Sequence, residues 1–262
     1  MANPVFRSLS KPANQILIDS PSSDGWPSVI DQARKTKHVT VMTGAGISVA
    51  SGLQTFRAGG LWENNRIEDV ATPQAFARDP VLVWKFYNQR RRAGVAAQPN
   101  AGHLSLVKLE RAVSSFVLVT QNVDGLHQAA GSSNVLELHG SLLRVRCTGC
   151  GKTFSTTEVL PDLPRCDCGQ LLRPDIVWFG EDLCESVLRK AKWSVARGGV
   201  LPLVGTSAVV HPAAGLIQKA RLAGVFIIEI NPARTEATQL AHAVLRGDAA
   251  EMLPSLVNQW VG

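Results

Sequence analysis

Strand-like and helical segments alternate along these 262 residues, and that alternation predicts an α/β fold: a doubly wound parallel sheet of the Rossmann-like kind. Two further observations sharpen the prediction. Short β-branched runs break off into glycine or polar residues where a parallel sheet would present its carboxyl ends. A cluster of cysteines and a long helical stretch interrupt the alternation, marking a smaller inserted module and a helical insertion.

Taken in order, residues 26–36 have helical spacing and HVTVMT at 38–43 reads as a strand. GAGISVASG, Gly44 to Gly52, then opens a helix, and a glycine turn between strand and helix suits a phosphate. The dehydrogenase fingerprint needs glycine where Val49 stands, so a nucleotide is supported but ordinary hydride transfer is not. Residues 53–65 form a loop with Phe56-Arg57 and Gly59-Gly60. Residues 68–97 are helices broken at Pro73 and Pro80, the longest carrying WKFYNQRRR, and 102–113 is amphipathic.

The apolar run 116–119 is a buried strand that ends in Thr120, Gln121, Asn122 and Asp124, and the run 135–138 delivers His139 and Gly140. An amide pair, a carboxylate and an imidazole at neighbouring strand ends look like a catalytic site. The same residues also fit a polar loop with a satisfied histidine. Apolar alternation at 142–145 enters the cysteine cluster, and RPDIVWFGED from Arg173 is extended. Helix follows at 185–197, strand at 199–204 ending in Gly205-Thr206-Ser207, helix at 212–223, strand at 225–230 ending at Asn231, and helix at 236–245. The core is therefore expected over 22–52, 100–140 and 173–262, the helical insertion over 53–99 and the metal module over 141–172, all in one catalytic unit.

Apolar residues make up 45% and charged residues 18% of the chain, enough for a core and unlike a disordered chain. The net charge of +6 favours anionic partners without naming one. No secretory segment or membrane-spanning run is apparent, so no membrane partner is expected. The expected location is intracellular, the cytoplasm first, with mitochondrion or nucleus open for a eukaryotic source; the expected state is a monomer.

Four of the five cysteines fall at Cys147, Cys150, Cys166 and Cys168. Paired thiolates on two tight turns suit a closed, structural Zn²⁺ site, although the second pair has one intervening residue instead of two. Cys184 reads as a small buried residue outside the set, and a redox-sensing thiol pair is the other reading of the cluster. A nucleic-acid zinc module lacks the histidine spacing and any basic-aromatic stripe, so nucleic acid is not an expected partner.

The chain resembles the sirtuins, NAD-dependent protein lysine deacylases, from about Val39 to its end. The motifs stand in family order: GAGIS, Phe56-Arg57, TQNVD, His139-Gly140, the cysteine pairs, VWFGE, Gly205-Thr206-Ser207 and EIN at Glu229 to Asn231. The resemblance implies that NAD is held by Gly44, Ala45, Ser48, Gly205, Thr206, Ser207, Asn231 and Ala249. Gln121, Asn122 and Asp124 would line its nicotinamide end, covered by Phe56 and Arg57. His139 would act as general base on a ribose hydroxyl, with Asn122 and Asp124 beside it, and the products would be nicotinamide, O-acyl-ADP-ribose and free lysine. Val177, Trp178, Phe179, Gly180 and Val209 would seat an acyl-lysine protein or peptide, the first four as an added strand.

Gln54-Thr55 before Phe56, and Ala58 after Arg57, resemble the branch that removes acidic acyl groups. Tyr87 and Arg90 match that branch's tyrosine and arginine three residues apart, a spacing that shares one helical face. They would grip the carboxylate of a succinyl, malonyl or glutaryl group, with Ala58 leaving room for the longer chain. Without the family, Arg90 to Arg92 read as a solvated basic face and Tyr87 as core. Mainly acetyl removal, or mono-ADP-ribosyl transfer from the same NAD site, are the alternative activities.

Overall fold

The computed structural model describes residues 11–20, 25–55, 61–62 and 65–262. β1 (Ile16–Ile18) and α1 (Trp26–Arg34) lead to β2 (His38–Thr43) and a 3₁₀ turn at Ala45–Ser51. A short ribbon, β3 (Leu61–Trp62) with β4 (Asn65–Arg66), precedes α2 (Ile67–Val70), α3 (Pro73–Arg78), α4 (Pro80–Ala96) and α5 (Ala101–Ala112). The chain continues through β5 (Ser115–Thr120), α6 (Leu126–Ala130), β6 (Val135–Glu137), β7 (Gly140–Cys147), β8 (Thr153–Ser155) and β9 (Leu172–Ile176). It closes with α7 (Glu185–Ala196), β10 (Val200–Val204), α8 (Gly215–Leu222), β11 (Phe226–Ile230), β12 (Ala243–Leu245) and α9 (Ala249–Val261).

Seven strands pair in parallel in the order β1-β12-β11-β10-β2-β5-β6. From β2 the chain moves out through β5 and β6, then returns to build β10, β11 and β12 on the other side. The order therefore reverses between β2 and β10, where a doubly wound sheet opens its ligand crevice.

Alternate residues of each strand serve opposite layers, as a period of two requires. Val39, Val41, Phe116, Leu118, Ile228 and Ile230 pack with α1, α5 and α9. Met42, Val119, Leu201, Leu203 and Ile227 pack with α7 and α8. Both faces are covered, which is why these strands read as continuous apolar runs.

The prolines that looked like breaks are helix starts. Thr72 and Asp79 accept from Ala75 N–H and Leu82 N–H at 3.0 and 2.9 Å, capping α3 and α4, and Pro73 and Pro80 occupy the first turns. α4 then serves two small cores. Trp84 packs against Val145, Cys147, Cys166 and Leu172 of the cysteine module, while Phe86 and Tyr87 pack with Val123, Leu142, Ile176 and Trp178. The module itself is a three-stranded antiparallel sheet, β8-β7-β9.

Two expectations are corrected. Residues 236–245 are not one helix: a 3₁₀ turn at Glu236–Gln239 gives way to β12, which is fully buried between β11 and β1. Pairing on both edges outweighs local helix propensity there, and the Gln15 amide fastens the turn by donating to Thr238 and Ala241 carbonyls at 2.7 and 2.8 Å. Cys184 is exposed at the amino end of α7, not buried. Among the described residues no helix is long and apolar enough to cross a membrane.

Candidate active site and metal centre

A cleft of about 660 Å³ lies over the carboxyl ends of the central strands. Two glycine loops form its floor. Gly44 N–H donates to Val204 O at 3.0 Å and Gly46 N–H to Gly205 O at 2.8 Å, so the loops after β2 and β10 touch backbone to backbone. A Cβ at Gly46 would sit 2.6 Å from Gly205 Cα, and Gly205 itself has φ +60°. Only glycine permits that approach. Gly44, Ala45 and Ser48 from the first loop line the cleft, as do Gly205, Thr206 and Ser207 from the second.

β5 delivers the next group. Asn122 and Asp124 are buried side by side: Ser48 Oγ donates to Asp124 Oδ2 at 2.8 Å and accepts from Asn122 Nδ2 at 3.3 Å. Asp124 Oδ1 accepts from Leu126 N–H at 3.0 Å, which fixes the carboxylate at the start of α6. Gln121 Nε2 donates to Thr206 Oγ1 at 2.9 Å, tying the β5 loop to the β10 loop. Beneath them, His127 Nε2 is 2.9 Å from Thr43 Oγ1, whose proton goes to Thr120 Oγ1 at 2.8 Å; Thr120 Oγ1 in turn accepts from Asn122 N–H at 3.0 Å. The carboxyl end of β5 is thus braced from below.

His139 follows β6 and lines the same cleft. Its Nδ1 lies 3.1 Å from the Gln121 carbonyl, which can only accept, so Nδ1 carries the proton and Nε2 keeps a lone pair. Burial lowers its pKa from the usual histidine value, and the Gln121 carbonyl partly opposes this. The ring is therefore neutral, a base ready at neutral pH. Gly140 makes the sharp exit possible at φ +81°, since a Cβ there would stand 2.0 Å from Asp175 O.

Asn231, at the end of β11, lines the far end of the cleft, and its Nδ2 donates to Thr206 O at 3.1 Å. Arg246 secures the loop that follows, donating to Asn231 O at 3.2 Å and Ala233 O at 2.7 Å while pairing with buried Glu229 at 3.1 Å. Thr235 and Asp248 also line this end, and sequence reasoning missed both. Ala249, expected here, is instead buried behind Asp248 at the start of α9.

The opposite end is more apolar. Val177, Trp178, Phe179 and Gly180 line it, together with Tyr87 and Arg90 of α4. The N–H groups of Val177, Trp178 and Phe179 are all engaged, by His139 O at 3.0 Å, Glu181 Oε2 at 2.9 Å and Ala71 O at 3.0 Å. Those three N–H groups are therefore not free to bond a further strand. Trp178 is only 3% exposed and offers its indole to the interior. Val209 is half-exposed outside the lining, with Val210 inside it. Gly94, seven residues from Tyr87 on the same helical face, and Leu142 complete this end; extending the helical spacing from Tyr87 would have found Gly94. Phe56, Arg57 and Ala58 lie outside the described residues.

The three consecutive arginines of α4 part company. Arg90 lines the cleft, with its guanidinium 5.8 Å from the Phe86 ring centre. Arg91 is buried and donates to the carbonyls of Leu142, Thr156 and Glu158. Arg92 is exposed. Successive helical positions diverge by about 100°, so one run supplies a cleft group, a structural tie and a surface charge.

Away from the cleft, the sulfur atoms of Cys147, Cys150, Cys166 and Cys168 all lie within 4.8 Å of one another. Two pairs stand at 3.4 and 3.7 Å, and zinc–sulfur bonds of about 2.3 Å in a tetrahedron put sulfurs about 3.8 Å apart. Gly149 and Cys150 N–H groups both point at Cys147 Sγ from 3.4 Å, favouring the thiolate a metal requires. The donor set fits a closed Zn²⁺ site, and Cys184 takes no part in it.

Residues 44–212 match the Sir2 family. An NAD-dependent protein deacylase of Thermus thermophilus is 48% identical over 238 residues, covering 87% of this chain and 94% of that protein. A Sir2 homologue solved with NAD superposes with a TM-score of 0.87 at 44% identity, covering 95% of this chain and 96% of that one. A Sir2 protein solved with a p53 peptide and NAD has a TM-score of 0.78 at 32% identity, covering 86% and 94%. Matched over more than half of its length, and nearly half-identical to relatives that it covers almost end to end, the chain belongs to the Sir2 family.

Proposed function

We propose that this NAD-dependent protein deacylase prefers lysines whose acyl group ends in a carboxylate (succinyl, malonyl or glutaryl) over acetyl-lysine. One observation carries the reading: Tyr87 and Arg90 share a face of α4 and both line the apolar end of the cleft. A guanidinium and a phenol at the apolar end of the cleft match a chain of a few methylenes capped by a carboxylate. An acetyl group offers no carboxylate for the guanidinium to grip.

The residues divide the reaction as follows. Bound NAD supplies an electrophilic ribose carbon with nicotinamide as its leaving group. Asn122 and Asp124, held rigid by Ser48 and Leu126 N–H, bind the nicotinamide end. Asn231 and the glycine loops bind the adenosine and phosphates. His139 takes a ribose hydroxyl proton on Nε2, while its Nδ1–H goes on donating to the Gln121 carbonyl. Base catalysis of this kind contributes about 10²–10⁴-fold. The link at 177–180 orients the acyl-lysine peptide across the cleft.

The test is steady-state deacylation of matched succinyl and acetyl peptides. The expected kcat/KM favours succinyl by about ten-fold or more, since hydrogen bonds to a charged group contribute about 1.5–3 kcal/mol each. Arg90→Met should remove that preference. An Arg90→Met enzyme with the parent's succinyl-to-acetyl ratio would refute the clamp.

A further inference from the structure

We infer that Trp178 is a positioning residue for acyl-group choice: its indole N–H occupies one side of the Tyr87 hydroxyl and so directs the phenol proton into the cleft. This rests on the acidic-acyl reading above.

The direction of the bond is not ambiguous. Trp178 Nε1 lies 2.9 Å from Tyr87 Oη, and an indole nitrogen can only donate. The phenol must therefore accept, and its single proton has to point elsewhere. Tyr87 is fully buried but borders the cleft beside Arg90, and on this inference its proton takes that side, toward the space an acyl carboxylate would fill. Burial pushes the phenol well above the usual tyrosine range, with Arg90 the largest opposing influence, so Tyr87 remains a donor at any working pH.

Trp178 can impose this orientation because it is itself held. The Arg173 guanidinium sits 3.4 Å from its ring centre, and the Phe76 ring is 5.3 Å away, tilted by 41°. Arg173 is fixed in turn by both oxygens of Glu181, at 2.6 and 2.9 Å, and by Ile176 O at 2.9 Å. Glu181 also accepts Trp178 N–H at 2.9 Å. The series Glu181, Arg173, Trp178, Tyr87 thus runs from the link that seats the peptide to the wall that reads the acyl group. A buried indole N–H needs an acceptor, and the one it has here is the Tyr87 hydroxyl.

The experiment compares succinyl and acetyl peptides in the parent, Trp178→Phe, Tyr87→Phe and the double variant, reading the ratio of the two kcat/KM values. Both substitutions keep an aromatic ring. Tyr87→Phe should lower the ratio about ten-fold and Trp178→Phe about five-fold, mainly through KM for the succinyl peptide. The double variant should be no worse than Tyr87→Phe alone, because the indole acts only through the phenol. A Trp178→Phe ratio equal to the parent's, with Tyr87→Phe lowering it, overturns the inference and leaves the acyl reading standing; so do two effects that multiply. A purely structural role would depress both substrates together and leave the ratio unchanged, which also counts against it. A parent without the succinyl preference refutes the acyl reading itself, and this inference with it.

Discussion

Arg246→Met tests how the far end of the cleft is held. Arg246 is 22% exposed and pairs at 3.1 Å with Glu229, whose side chain is 2% exposed. It also donates to the carbonyls of Asn231 and Ala233 and to Thr238 Oγ1 at 3.2, 2.7 and 3.2 Å. Removing one partner of a buried pair costs about 3–5 kcal/mol. Glu229 would still accept from the Thr235 and Thr238 hydroxyls, so the low end, about 3 kcal/mol, is expected. The loop carrying Asn231 also loses two anchors, which should raise KM for NAD by about ten-fold while kcat changes little. Urea unfolding at neutral pH and initial rates against NAD concentration read the two effects. Adding Glu229→Gln removes the stranded charge while keeping an acceptor for the hydroxyls. The double variant should therefore recover at least half of the stability but not the KM. An Arg246→Met protein that unfolds at the parent's urea concentration and keeps its KM would refute this account, as would a double variant no more stable than the single.

Acid should weaken the fold through its buried histidines. Burial and the neighbouring His103 lower His127 to about 3, and burial lowers His103 as well. Below the unfolded value of about 6.5 the unfolded chain binds protons that these rings refuse, so stability should fall as pH falls, by up to about 1.4 kcal/mol per pH unit for each histidine. Urea unfolding between pH 7 and pH 5 measures the slope, and His127→Gln should remove about one proton from it; an unchanged slope would count against the assignment. Chelation tests the metal module, where Cys147 and Cys166 share a small core with Trp84, Val145 and Leu172. The protein should carry one zinc per chain by elemental analysis and lose both thermal stability and deacylation when stripped, because β9 feeds the link that lines the cleft. Full activity and an unchanged melting temperature in metal-free protein would contradict it.

The central strands were legible because they are short apolar runs, β2 and β10 buried along their whole length, and the residues that end the runs at Asn122, His139, Gly205 and Asn231 line the cleft. What escaped depends on distant partners. Ala243-Val244-Leu245 pairs with Ile16-Leu17-Ile18, over two hundred residues away, and nothing local distinguishes such an apolar triplet from the end of a helix. The buried Glu229–Arg246 pair was invisible for the same reason: the two residues are seventeen apart in sequence (246 − 229), and only the β11–β12 pairing brings them together. The RRR run offered three candidates for the cleft, and the resemblance to the acidic-acyl branch pointed to Arg90; helical phase against Tyr87 does not separate Arg90 from Arg91, since positions three and four residues on share its face. That Arg91 would spend its charge on three carbonyls could not be read until β7 and the cysteine module were in place.

On the proposed reading, that division among the arginines would let choice of acyl group vary without disturbing the chemistry. His139, Gln121, Asn122 and Asp124 belong to the core sheet's loops and are braced by Thr43, Thr120 and Ser48, none of which touches α4 through a hydrogen bond. Tyr87 and Arg90 reach the same cleft from the helical insertion, whose position relative to the core is set by Arg91 at the Leu142 carbonyl and by the Leu142 N–H on Val123 O at 2.8 Å. On that reading a substitution at position 90 should alter what the apolar wall recognises, whereas one at position 91 should shift the wall itself. Lysine cannot replace Arg91, because one ammonium cannot reproduce a planar fork that reaches three separate carbonyls.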